Sequence, residues 1–158
     1  MKKVISLFVL VVLITSCSQD VQFNNPAVQG LKDNQLWRAN DSRAYLGPNN
    51  SVILEAYSQN EKLTLKTTST NVGTYPLGTS DSKKATFEYM VDGSQLTYAT
   101  GIGMGDGEIK ITQYDPTNMT ITGTFRFNAE NTTNNPLGDE ILNFQEGVFY
   151  KVRIHPTM

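Results

Sequence analysis

Residues 119–127 read MTITGTFRF, in which Met119, Ile121, Phe125 and Phe127 alternate with Thr120, Thr122, Thr124 and Arg126. A period of two puts successive side chains on opposite faces of an extended strand, one buried and one wet. Just upstream, Ile109 and Ile111 alternate in the same way with Glu108, Lys110 and Thr112. YDPTN joins the two runs, and Pro116 fits the second position of a type I turn opened by Asp115. The pattern predicts a β-hairpin.

The rest of the chain after residue 27 repeats this grammar. ATFEYMV and QLTYAT flank Asp92-Gly93, a dipeptide suited to the positive φ angles of a two-residue turn. SVILEAY and KLTLKTT flank Ser58–Glu61, and a first hairpin turns at Asp33-Asn34 ahead of Leu36-Trp37. The closing GVFYKVRI places Val148, Tyr150, Val152 and Ile154 on one face. Nine or ten strands emerge, with no convincing amphipathic helix and no internal repeat. Such spacing predicts an all-β fold, a single antiparallel β-sandwich with a closed or partly open β-barrel as the alternative. Residues 129–146 form an unusually long connection, to be either functional or mobile.

The first residues obey a different rule. Lys2 and Lys3 precede an aliphatic run from Val4 to Ile14 in which Ser6 is the only polar residue. This is the pattern of a secretory signal peptide, far short of the roughly 20 residues a membrane-crossing helix needs. The run ends at Ile14-Thr15-Ser16-Cys17, which resembles the lipobox of bacterial lipoproteins. That resemblance implies a diacylated Cys17 as first mature residue, after removal of residues 1–16. Cys17 is the only cysteine, and an exported protein with one free thiol and no disulfide partner is unusual. Residues 17–27 then read as the lipidated cysteine and a tether, and residues 28–158 as one β-domain. Asp20 weakly resembles the acidic surface-export signal of Bacteroidota lipoproteins.

Charge narrows the partners. The leader holds two of the thirteen basic residues, which leaves eleven against fifteen acidic ones in the mature chain, a net charge of −4. No Lys/Arg-rich balance is left for a nucleic acid, and none for a polybasic contact with anionic lipid. Attachment is therefore expected through the lipid on Cys17. Four Asn-x-Ser/Thr triplets, at Asn40, Asn49, Asn118 and Asn131, follow from the Asn- and Thr-rich composition.

No residue pattern demands catalysis, a cofactor or a metal. His155, the only histidine, lies near the chain end. GIGMGDG at 101–107 leads into a strand rather than a helix, so it reads as a bulged strand approach rather than a phosphate cradle. Asp106, Glu108, Asp139 and Glu140 lack the spacing of a calcium loop. Glu55, Glu88, Glu108 and Glu146 are the carboxylates a glycosidase would draw on. Tyr89 and Tyr150 fall on apolar strand phases and read as core, Tyr75 and Tyr114 near turns are the candidate exposed binding aromatics, and Trp37 by the first hairpin reads either as a core plug of the sandwich or as a third exposed candidate.

Over residues 28–154 the chain resembles the small Bacteroidota lipoproteins that carry a β-rich domain of unknown function. LKDNQLWRA, TYPLG, GEIKITQYDPTNMTITGTFRFNA and EGVFYKV carry the likeness. The first turn departs from it, with Asp33-Asn34 where Asp-Gly is expected. The resemblance implies a fold and an address, a lipoprotein of the Gram-negative outer membrane facing the periplasm or the surface, and carries no catalytic residue over. The functional expectation is a non-enzymatic domain that binds a protein or glycan. Alternatives are a barrel carrying a small apolar ligand around Phe87, Phe125 and Phe127, and a carboxylate-based hydrolase.

Replacement of Cys17 by Ala is expected to abolish acyl labelling and move the protein out of the membrane fraction. Unchanged labelling would show that acylation is elsewhere.

Overall fold

The computed structural model describes residues 27–156; the expected signal peptide (1–16), the expected acylation site Cys17 and the expected tether up to Pro26 lie outside the described residues. The strands are β1 (Val28–Lys32), β2 (Gln35–Arg38), β3 (Asp41–Leu46), β4 (Val52–Ser58), β5 (Glu61–Thr67), β6 (Gly73–Leu77), β7 (Lys84–Val91), β8 (Ser94–Ala99), β9 (Asp106–Asp115), β10 (Thr120–Asn131) and β11 (Ile141–His155). They number eleven, more than the nine or ten expected, and no α-helix occurs among the described residues. The protein is all-β.

The turns follow their local chemistry. Asp33-Asn34 (φ 48° and 63°) and Asp92-Gly93 (φ 48° and 78°) close two-residue hairpins, Lys32 facing Gln35 and Val91 facing Ser94. Asn tolerates the left-handed region, so the first turn keeps its geometry without glycine. At the β9–β10 turn Asp115 Oδ1 accepts from the backbone N–H of Thr117 and of Asn118, both at 2.9 Å, as the YDPTN reading requires.

Hydrogen bonding runs β2-β1-β11-β3-β4-β5-β7-β8-β10-β9-β6, with β10 also paired to β11. Two layers result: β6-β9-β10-β11-β1-β2, called sheet 1, and β3-β4-β5-β7-β8, called sheet 2. They join at two corners. Glu130 and Asn131 at the end of β10 pair with Ala99 and Tyr98 of β8. Ile154 and His155 at the end of β11 pair with Ala44 and Tyr45 of β3, in parallel. That pairing departs from the expected all-antiparallel arrangement, and the architecture is a sandwich that is also a partly open barrel.

Bulges make the corners possible. Phe125 and Phe127 face Gly147 and Phe144, and Ile121 and Gly123 face Val152 and Phe149, so β11 carries one extra residue at each step. Glu146 (φ 50°) and Lys151 (φ 47°) mark these bulges. Each extra residue reverses the inward phase and bends the strand. The inward set of β11 is therefore Leu142 and Phe144, then Gly147 and Phe149, then Val152 and Ile154. This corrects the reading of GVFYKVRI: Val148 and Tyr150 point outward, 37% and 40% exposed. The expected long connection at 129–146 also shortens, because Glu130 pairs with Ile141 and only residues 132–140 remain as loop.

Phe144 is the hub of the core. Its ring centroid lies 5.2 to 5.7 Å from those of Phe127, Phe87, Trp37 and Phe125. Gly147 makes room, since a Cβ there would sit 2.5 Å from the carbonyl oxygen of Phe125. Phe144→Ala should cost about 3–5 kcal/mol of stability in chemical denaturation, because four rings lose their common neighbour. A loss under ~1 kcal/mol would mean the cluster repacks.

Candidate functional site

The aromatic residues expected on the surface are placed otherwise. Trp37 is 4% exposed, its ring edge-on to Phe87 and Phe144, and its Nε1–H donates to Glu61 Oε2 at 2.6 Å. The other oxygen of Glu61 pairs with the Lys32 ammonium, which stands 5.0 Å from the Phe87 ring centroid. This group locks the β1–β2 hairpin of sheet 1 onto β5 and β7 of sheet 2. Tyr75 is 9% exposed and its hydroxyl donates to the Asn71 carbonyl at 2.7 Å. Tyr114 is half-buried against the core, its hydroxyl 4.0 Å from Met119 Sδ. Proximity to a turn does not expose a ring that stands on the inward phase of its strand, as Trp37 and Tyr75 do, and the three form no common platform. Tyr98 is buried too; burial and a hydrogen bond with Tyr89 raise its phenol well above the ordinary value.

Polar groups converge instead on the outer face of sheet 1, at the end bearing the 132–140 loop. Cross-strand register puts Asn128 of β10 beside Asp106 of β9 and Asn143 of β11. Gln145 Nε2 donates to Asn143 Oδ1 (2.7 Å), Asn143 Nδ2 to Asn128 Oδ1 (2.7 Å), and Asn128 Nδ2 to Asp106 Oδ1 (2.9 Å). The direction of the chain follows from its terminus. An ionised carboxylate only accepts, so Asn128 must donate to Asp106 and expose its oxygen to Asn143, which must donate in turn. Such chains polarise one another.

The face continues on both sides. Arg126 Nε donates to Glu108 Oε1 at 3.2 Å, and a trough of about 340 Å³ runs over Arg126, Asn128, Asn143 and Gln145. Beyond Asn128, Glu130 Oε1 accepts from the Gly105 N–H at 2.8 Å. There a cleft of about 490 Å³ opens between Glu130, Asn131, Glu140, Ile141 and the loop residues Asn134, Asn135, Pro136 and Gly138. These positions are polar on alternate residues, 126-128-130 and 141-143-145 apart from Ile141, a pattern visible in the sequence. That they form one relay depends on strand partners the sequence does not name.

The other candidates stand apart. Glu55 and Glu88 lie on the outer face of sheet 2, where Glu55 pairs with Lys62 (2.8 Å) and accepts from Tyr57 (2.7 Å), while Glu88 accepts from Gln95. Burial pushes Glu55 up, but hydrogen bonds from Lys62 and Tyr57 outweigh it and hold the carboxyl below its ordinary value. Asp115 is also held low, by hydrogen bonds from Asn118. A general acid needs the opposite shift. Glu146 is exposed at a bulge, and His155 is exposed beside Tyr45. Among the described residues no three His, Cys, Asp or Glu side chains converge to hold a metal. The space around Phe87, Phe125 and Phe127 is filled by Trp37 and Phe144.

The depressed Glu55 has a consequence for acid stability. A carboxyl whose folded value lies below its unfolded value of about 4.5 stabilises the fold above that pH, and the contribution is lost as pH falls through the folded value. Between about pH 5 and pH 3 the wild type should therefore lose more stability than Glu55→Gln, in urea titrations at each pH. Parallel losses would show that the Glu55 interactions are without net effect.

Residues 24–153 match the family described as Domain of unknown function (DUF6252). No curated protein and no solved structure matches the chain. The match spans the described fold from β1 to most of β11, and with it the β10–β8 corner, the aromatic hub and the polar relay. By that coverage the chain belongs to this family of domains of unknown function.

Proposed function

We propose that this protein is an envelope lipoprotein of the Bacteroidota type, held to the Gram-negative outer membrane by acyl chains on Cys17, whose β-domain binds a glycan without transforming it. The observation that carries the binding reading is the relay Gln145–Asn143–Asn128–Asp106, spread over the accessible outer face of a sheet. A sugar hydroxyl both donates and accepts. A row of amides ending on a carboxylate offers free N–H donors and oxygen acceptors at the spacing of neighbouring strands, about 4.8 Å. The cleft beside it adds depth, with amide and carboxylate groups on its walls.

The lipobox, the single cysteine and the lipoprotein resemblance support the address, on either the periplasmic or the surface side. A protein partner is the second reading, favoured by the length of the polar strip. Carriage of a small apolar ligand has less support, because such pockets measure roughly 300 Å³ or more. The interior void between Val52, Leu65, Ile109, Ile121 and Phe149 is about 10 Å³.

Thermal unfolding of the acylated protein in detergent, against a panel of soluble oligosaccharides, tests the reading. A ligand at a hundred times its dissociation constant adds about 2.7 kcal/mol, a shift of several degrees for a domain of this size. Asn128→Ala should lose that shift. An equal shift in the variant would place the glycan elsewhere, and silence across the panel would favour the protein partner.

A further inference from the structure

A net charge of −4 hides a strong asymmetry along sheet 1. Ala27, the first described residue, accepts at its carbonyl from the Tyr150 N–H at 2.8 Å and so stands beside Tyr150, Lys151 and Arg153. These side chains are exposed on the outer face. One cross-strand row further along, Lys110, Thr124, Val148, Gln29 and Arg38 face one another in register. Lys110 and Arg38 are exposed as well, and four strand spacings place them about 19 Å apart. Among the described residues, none of Arg38, Lys110, Lys151 and Arg153 is in a salt bridge. The nearby carboxylates are Asp115, which feels Lys151, Asp41, which is paired with Arg43, and Glu108, which shares the outer face of β9 with Lys110 and is paired with Arg126.

The opposite end of the sheet is acidic. Asp106, Glu108, Glu130, Asp139 and Glu140 lie around the relay and the cleft, with Arg126 among them. Nine residue steps of β11 lead from Ile141 to Tyr150, about 30 Å along the strand contour.

We propose that the basic half of sheet 1, bearing Arg38, Lys110, Lys151 and Arg153 around Tyr150, rests on an anionic lipid surface and holds the acidic, relay-bearing end away from it. Two observations select this occupant. Ala27, where the described domain begins, stands inside the basic patch, and the ten steps from Cys17 to Ala27 reach at most about 35 Å, so the acyl anchor keeps this patch within reach of the headgroups. The charge is complementary only at this end, so a flat pose would press the acidic half onto like charge and the sheet is held tilted. Tyr150, with Lys151 5.2 Å from its ring centroid, supplies an amphipathic ring at the interface. The proposal departs from the expectation from composition, attachment through lipid with no basic contact, because net charge averages two ends that the fold separates.

The inference rests on the lipid-anchor reading, and the test separates the two. The acylated protein is floated with vesicles of phosphatidylcholine alone or containing phosphatidylglycerol. Single cysteines introduced by Thr122→Cys, near the patch, or Asn134→Cys, at the cleft, carry a fluorophore whose quenching by a headgroup nitroxide lipid is read. Flotation with both vesicles and several-fold stronger quenching at position 122 than at 134, with phosphatidylglycerol only, is the expected result. Lys151→Glu with Arg153→Glu should remove the difference, as should raising salt until the screening length falls from about 30 Å to about 3 Å. Flotation with both vesicles and equal quenching overturns the docking and leaves the anchor standing. Flotation with anionic vesicles alone overturns the anchor and leaves the patch. Flotation with neither overturns both.

Discussion

The β10–β11 ladder is the constraint on which the rest depends. These two strands, twelve and fifteen residues long, run through sheet 1 and then supply both corners to sheet 2. An ideal pleated pair of that length would stay in one plane and leave a wide apolar face uncovered. Two extra residues in β11, at Glu146 and Lys151, bend the pair and turn its inward phase twice. The bends deliver Phe144 and Phe149 to the core. Gly123 shows how tight the packing is, since a Cβ there would lie 2.1 Å from the Lys110 carbonyl oxygen and 2.4 Å from the Phe149 ring.

Closure at the corners leaves β2 and β6 as the edges of sheet 1. Both are short, and Pro76 on β6 lacks an N–H, so neither offers a long row of free donors to another chain. The inner surface is satisfied by rings and by the Lys32–Glu61–Trp37 group, which seals the end of the sandwich with an ion pair among aromatics. Specific chemistry is thereby displaced to the outer faces. There the amide relay and the acidic cleft gather at one end, and exposed cations at the other.

Local chemistry was well expressed in the chain. Asp33-Asn34, Asp92-Gly93 and Asp115-Pro116 each turn where their residue types require, and Ile109, Ile111, Ile121, Phe125 and Phe127 face inward as their alternation predicts. The outcome differed where a strand is bulged or a side chain is covered by a distant element. Unbroken alternation through Lys151 predicts Tyr150 in the core, and the bulge at Lys151 turns it outward. Trp37 reads as core or surface alike and Tyr75 as a surface ring, because nothing local says that Phe87 and Phe144 pack on one, or that Ile109 pairs beside the other. Of the relay, Asp106 alone had been singled out, and for calcium rather than for a hydrogen bond to Asn128.

The sequence by itself determined the class of fold, the turn positions, the apolar phases of the unbulged strands and the expectation of an acylated leader, since each depends on residues a few positions apart. Only the tertiary structure decided which strands meet, where the phases reverse, which aromatics are covered and how charge is divided between the two ends. Those properties depend on pairings such as Asp33 with Asn143 and Ala44 with Ile154, more than a hundred residues apart, where local propensity carries no information.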